Sequence, residues 1–282
     1  MFNLIVQNER GDSLALTHSE AYEVVKIDGL NPPPANINTT ATAGGDGSSY
    51  NSASLSNRNL VIYLYINRDV ENNRQRLYRY FRIKKKCRLY YSNANRDVYI
   101  DGYVESVEPA IFEQKQSVQI SVICEKPYFK NINASVYDFS WTKSGFEFPF
   151  SIPEEGIEFS TSNSVSSVNV LNNGENEVGL EITLTATGTV LHPRILNLST
   201  GGVFALNAEM QEGDEILIST LKGKKLVTLY KDGEEINIMN TVAKNPDWFA
   251  LDLGDNIFSY SADIGGEYLN VSLKLTEEFA GV

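Results

Sequence analysis

A chain of 282 residues, 42% hydrophobic and 21% charged, is neither a disordered nor a fibrous sequence, and it is long enough for two domains. Its net charge of −12 is lopsided: residues 1–142 hold 16 basic and 15 acidic residues, residues 143–282 hold 8 and 21. The break separates two modules and makes the second a poor partner for nucleic acid or an anionic membrane. Fifteen Tyr and thirteen Phe against three Met favour strands over packed helices.

The opening run, MFNLIVQNERGDS, lacks a basic flank and a long apolar stretch, so it reads as a strand and not as a signal peptide. The next strand, Tyr22 to Ile27, meets a turn at Asp28-Gly29. Asn31-Pro32-Pro33-Pro34 then excludes both helix and an interior strand. From Ala35 to Ser56 nearly every residue is small and polar, including Asn36, Gly45, Asp46, Gly47 and Tyr50. Such a segment buries too little apolar surface to offset its own ordering, at about 1–2 kcal/mol per residue. It is expected to be disordered, or to be an extended arm or hairpin over about residues 36–58 that a neighbouring copy completes.

Leu60 to Ile66 is apolar throughout, as a strand covered on both faces would be, and is far too short to span a bilayer. The chain therefore reads as soluble and made in the cytoplasm. A helix follows, with Val70, Leu77 and Phe81 on one face, Asp69 as N-cap, and Arg76, Arg79 and Arg82 on the opposite face. Residues 68–96 hold ten basic and two acidic residues, interleaved with aromatics. That pattern suggests nucleic acid in a free protein, but a helix with one solvated basic face, or one meeting an acidic face of a neighbour, is the preferred reading. After VYIDGYVESV comes SVQISVIC, which sets Val118, Ile120, Val122 and Cys124 on one face. Cys87 and Cys124 lie in apolar strands and are expected to be buried free thiols.

Residues 131–150, with Tyr137, Phe139, Trp141, Phe146, Phe148 and Phe150 before and after a few polar residues and Pro149 near their end, read as an extended strand entering the second module. Short apolar runs then alternate with turns at Asn173-Gly174, Gly201-Gly202, Glu212-Gly213-Asp214, Lys222-Gly223-Lys224 and Asp232-Gly233. Eight to ten strands are expected, packed as a β-sandwich.

The order of IDGLNPPP, GDGSSYNSASLSNRNLVIYLYI, RQRLYRYFRIKKK, RDVYIDGYVESVEP and VQISVICEKPYF resembles the distal tail proteins of long, non-contractile-tailed bacteriophages over roughly residues 1–130. GDEILISTLKGKKLVTLY and DWFALDLGDNIFSYSAD make the second half similar to the galectin-like sandwich that follows in that family. The resemblance implies a mainly β protein. An N-terminal, β-sandwich-like ring-forming domain (1–135) carries one α-helix and an extended arm, and a galectin-like β-sandwich follows (136–282). It implies a homo-hexameric ring in the virion tail, between the tail tube protein and a tail-associated hub or spike protein, near a receptor-binding protein. DNA passes through the lumen. No cofactor, no membrane insertion and no specific nucleic-acid binding go with it.

Catalytic signatures do not emerge. GxSxG, HExxH, Walker A and GxGxxG are all missing from the sequence, and His18 and His192 stand in different modules. Glu154-Glu155 and Glu234-Glu235 read as solvated turns, and Asp252 with Asp255 offers too few ligands for calcium. Two carboxylates facing a cleft would make a glycan hydrolase. Trp248 is a sugar-stacking candidate, which leaves a carbohydrate-binding adhesion module as the alternative reading.

Overall fold

The computed structural model describes residues 2–42, 44–140 and 167–282, and the chain divides into two compact units, 1–133 with 278–282, and 134–277. The first unit contains β1 (Asn3–Asn8), β2 (Ser13–Ala15), β3 (Tyr22–Asp28), β4 (Ala35–Ala41), β5 (Ser48–Leu55), β6 (Arg58–Ile66) and α1 (Val70–Tyr80). It continues with β7 (Lys86–Ser92), β8 (Asp97–Pro109), β9 (Ser117–Cys124) and β10 (Phe129–Asn131). Seven strands run in the order β2-β1-β7-β8-β9-β6-β3.

Alternation builds this sheet. Val118, Ile120, Val122 and Cys124 are all buried, as their period-2 spacing requires, and they meet Leu60, Ile62 and Leu64 of β6 across an antiparallel ladder. Residues from both ends of the sheet, Leu4 and Val6 on β1 and Leu60 to Ile66 on β6, join Leu77 and Phe81 in one core. β6 itself is not covered on both faces. Val61, Tyr63 and Tyr65 are only half-buried, because Lys26 and Lys115 lie over the two tyrosine rings where a second layer was expected.

Helix α1 begins where the sequence suggests but by other means. Asp69 has φ 41 and makes no side-chain cap bond; its carboxylate instead accepts two bonds from the Asn72 amide, at 3.0 and 2.9 Å. Residues 35–55 pair with each other within the chain, as the antiparallel hairpin β4–β5.

The second unit opens with β11 (Ser135–Ser140), so the expected entry strand exists for that part; Trp141, Phe146, Phe148, Pro149, Phe150 and Glu154-Glu155 lie outside the described residues. Then come β12 (Ser167–Asn172), β13 (Val178–Gly179), β14 (Glu181–Ala186), β15 (Val190–Leu191), β16 (Arg194–Asn197) and β17 (Gly202–Ala205). The unit continues through β18 (Glu209–Met210), β19 (Glu215–Ser219), β20 (Leu226–Lys231), β21 (Glu234–Asn237), β22 (Ala250–Leu251), β23 (Gly254–Ser261) and β24 (Leu269–Leu275). A six-stranded sheet, β11-β24-β14-β19-β20-β21, and a four-stranded sheet, β12-β23-β16-β17, share one core. Ile182, Leu184 and Val271 come from the first sheet, and Val170, Ile195 and Phe258 from the second. This is a β-sandwich, richer in strands than expected because several are only two residues long.

The chain then returns. β25 (Glu278–Phe279) pairs with β10 in the first unit, with Phe279 opposite Phe129. Residues 278–282 therefore leave the second module, although the sequence boundary ran it to 282. Two apolar residues, Phe279 and Val282, pack against the first core and draw them there.

Candidate functional site

The hairpin β4–β5 stands out by exposure. Every described residue from Ala35 to Ser54 is exposed, on both faces, including Ile37 (62%) and Tyr50 (66%). The polar sequence pairs through side chains as well as backbone. Asn36 donates to Ser56 at 2.7 Å, Asn38 to Ser52 at 3.0 Å and Asn51 to Thr40 at 2.7 Å. Gly44 and Gly47 take left-handed φ values of 80° and 99°, and Gly45 and Asp46 lie between them at the tip. A lone two-stranded hairpin is marginal in water. With no apolar face buried, this one has only its own hydrogen bonds to hold it.

Its base, by contrast, is fixed. Arg58, 3% exposed, opens β6 directly after the hairpin. Its guanidinium donates to the carbonyls of Pro127 (2.6 Å), Asn31 (2.9 Å), Gly29 and Ala280, and lies 4.6 Å over the Phe129 ring. Burial pushes its pKa below the usual arginine range. Gly281 packs on Pro32, and the Val282 amide donates to Leu30 at 3.2 Å. The triple-proline segment is thus held at both sides of the hairpin root. Nothing in the sequence marks Arg58, because its partners are carbonyls scattered along the chain.

Arg76, Arg79 and Arg82 are all exposed and line one groove of about 510 Å³, with Tyr78, Tyr80 and the β1–β2 turn, Asn8 to Asp12. Arg82 donates to Glu9 at 2.9 Å, and Lys85 lies 3.3 Å from the same carboxylate.

The remaining sequence candidates stay apart. Trp248 is half-buried, edge-on to Phe204 at 5.0 Å, with the Lys225 ammonium 5.1 Å over its ring. His18 is exposed. His192 Nδ1 lies 2.8 Å from Asp263, whose carboxyl is held below its usual range by that bond and by Arg194. Asp255 accepts from Asn169 at 2.6 Å, while Asp252, Glu234 and Glu235 are exposed. Among the described residues, no three His, Cys, Asp or Glu side chains are grouped to hold a metal, and no helix is long and apolar enough to cross a membrane. Cys87 and Cys124 are free and buried, and burial pushes both thiols up to about 12.

Comparison with known proteins fits this architecture. Residues 9–124 match the phage tail protein RIFT-related domain, and residues 173–279 match the C-terminal domain of the siphovirus-type tail component. The structure of the SPP1 phage Dit protein, described as a paradigm of the hub adsorption apparatus in phages infecting Gram-positive bacteria, aligns over 99% of both chains with TM-score 0.72 and 14% identity. A chain of the phage P2 baseplate in its calcium-activated conformation aligns over 100% of both chains with TM-score 0.59 and 12% identity, and the strontium form with 0.58 and 11%. No curated protein matches.

Two tail-protein domains in this order, on a scaffold that is β-rich with one α-helix among the described residues, define a structural component of a phage tail. The chain belongs to the distal tail protein family of siphophages.

Proposed function

We propose that this chain forms a homo-hexameric ring joining the tail tube to the tail tip and its host-adhesion apparatus. Its role is assembly and mechanical coupling, without catalysis. The observation that carries the reading is the hairpin β4–β5, exposed on both faces and anchored at its root by Arg58. A ring needs heterologous interfaces, in which one patch meets a different patch on the next copy. An anchored, unsatisfied hairpin supplies one half of such an interface. Asn36, Gly45, Asp46, Gly47 and Tyr50 are then contact residues between subunits. The likeness to the SPP1 hub protein and the P2 baseplate chain supports partners within a tail and baseplate; on this reading they are the tail tube protein and a hub or spike protein, with a receptor-binding protein further out.

The alternative, a carbohydrate-binding adhesion module acting through Trp248, has no comparable support: one edge of that ring packs on Phe204 and Lys225 lies over it. Size-exclusion chromatography with light scattering tests the proposal. A hexamer is expected for the intact chain, and monomers when residues 36–54 are replaced by a short glycine linker. A chain that stays monomeric at every concentration, with tail tube and hub proteins present, refutes it.

A further inference from the structure

The groove beside α1 holds more positive charge than its own surroundings neutralise. Arg76 and Arg79 are one helical turn apart, so their side chains rise side by side. Arg10 faces them from the β1–β2 turn. That turn is rigid: Asn8 Oδ1 accepts from the amides of Arg10 (2.9 Å) and Asp12 (3.0 Å), its Nδ2 donates to Asp12 at 3.1 Å, and Gly11 takes φ 88. The two acids in the groove are engaged, Glu9 with Arg82 and Lys85, and Asp12 with Asn8. Arg10, Arg76 and Arg79 have no carboxylate partner among the described residues.

The second unit carries the converse feature. Asp232 and Gly233, with φ values of 52° and 81°, make the narrow turn between β20 and β21. Asp232, Glu234 and Glu235 are exposed there, and none has a basic partner among the described residues, since Lys231 is bound to Asp214 at 3.2 Å. β21 is the edge of its sheet and exposed along its whole length.

We propose that the arginine groove of one copy receives the acidic β20–β21 turn of another copy. Three unpaired guanidinium groups face three unpaired carboxylates, and the turn has the width of a two-stranded hairpin. Arginine favours such a site because its planar fork binds carboxylates bidentately. The contact is heterologous, so it propagates from copy to copy as a ring requires. It rests on the ring reading above and adds a second, electrostatic interface to the hairpin.

The test uses light scattering of the full chain over a range of concentration and salt. R76E/R79E and D232K/E234K/E235K each change only exposed side chains, and unchanged thermal melting checks that they fold. Each is expected to weaken self-association at least about tenfold, because like charges then face each other. The chain carrying all five changes is expected to associate again, since the charges are exchanged. If either reversal leaves association unchanged, or if the combined variant does not recover, the groove and turn do not meet and the proposal is overturned, while a hexamer that forms regardless leaves the ring reading standing. A wild-type chain that is monomeric up to its solubility limit overturns both. Binding of a labelled 20-base-pair DNA duplex that R76E/R79E abolishes, with self-association unchanged, assigns the groove to phosphates and also overturns the proposal.

Discussion

Replacing Arg58 by alanine is the most informative single perturbation of the first unit. The side chain is buried and donates to four backbone carbonyls, from Gly29, Asn31, Pro127 and Ala280, with no carboxylate paired to it among the described residues. A hydrogen bond from a charged donor contributes about 1.5–3 kcal/mol net, offset in part by the several kcal/mol needed to desolvate the guanidinium. Removing it strands buried carbonyls and leaves a void over Phe129, so the loss is about 3–5 kcal/mol. For a unit of this size, at about 3 °C per kcal/mol, the first transition falls by about 10–15 °C. Arg58→Lys keeps the charge but loses the fork, and is expected to lie between the two. Differential scanning calorimetry measures the shift, and amide exchange at Phe279 and Val282 shows whether residues 278–282 come loose. A transition within about 1 kcal/mol of wild type, with the amide of Val282 still protected, would refute the reasoning.

Three other outcomes follow from the first unit. Gly102→Ala sets a Cβ 2.6 Å from Val122 and 2.9 Å from the Ile123 carbonyl, inside the β8–β9 ladder, and is expected to cost about 1–3 kcal/mol in a urea melt. Asp101 is partly desolvated, which alone would raise its pKa, yet the bidentate bond from Arg88 and the nearby Lys86 bring it below the usual carboxylate value. Its contribution is therefore fully present above the unfolded-state pKa of about 4 and lost as pH falls through the lower native value. Thermal melts from pH 7 to pH 2.5 should show that acid loss in wild type and a smaller one in Asp101→Asn. Finally, the two thiols, both pushed up to about 12 and buried, should ignore Ellman's reagent at pH 8 in the native protein and react together once guanidinium unfolds it; a fast native reaction would contradict their placement.

The parts legible in the sequence were those where one local rule decides. The period-2 run at residues 117–124 gave the buried face of β9, and the helix face of Leu77 and Phe81 was readable from spacing. Even β9 holds one exception: Ser121, on the other face, is also buried, its hydroxyl 2.7 Å from the Glu105 carboxylate and 2.9 Å from the Asn59 amide. Where partners lie far apart along the chain, the sequence was silent. Arg58 looks like the polar start of a strand, and only tertiary structure brings Ala280 to it. For residues 36–58 an extended arm and a hairpin were both open, since these residues have weak strand preference; the Asn, Ser and Thr ladder flanking Gly-Gly-Asp-Gly is what selects the hairpin. Of the three arginines expected on one helix face, Arg76 and Arg79 were legible there, whereas Arg82 lies beyond α1, which ends at Tyr80. The turn that places Arg10 opposite them was not legible, because it depends on a single Asn8 side chain.

The return of residues 278–282 to the first unit also sets an order of events during synthesis. Residues 134–277 must leave the ribosome before β10 finds β25, a delay of roughly 7 to 30 s at translation rates of about 5–20 residues per second. Throughout that interval the nascent first unit carries an open strand edge and an arginine short of one carbonyl. A polypeptide terminated anywhere within the sandwich never closes that seam, so the root of the hairpin lacks the contacts from Ala280 and Val282 until those residues are made.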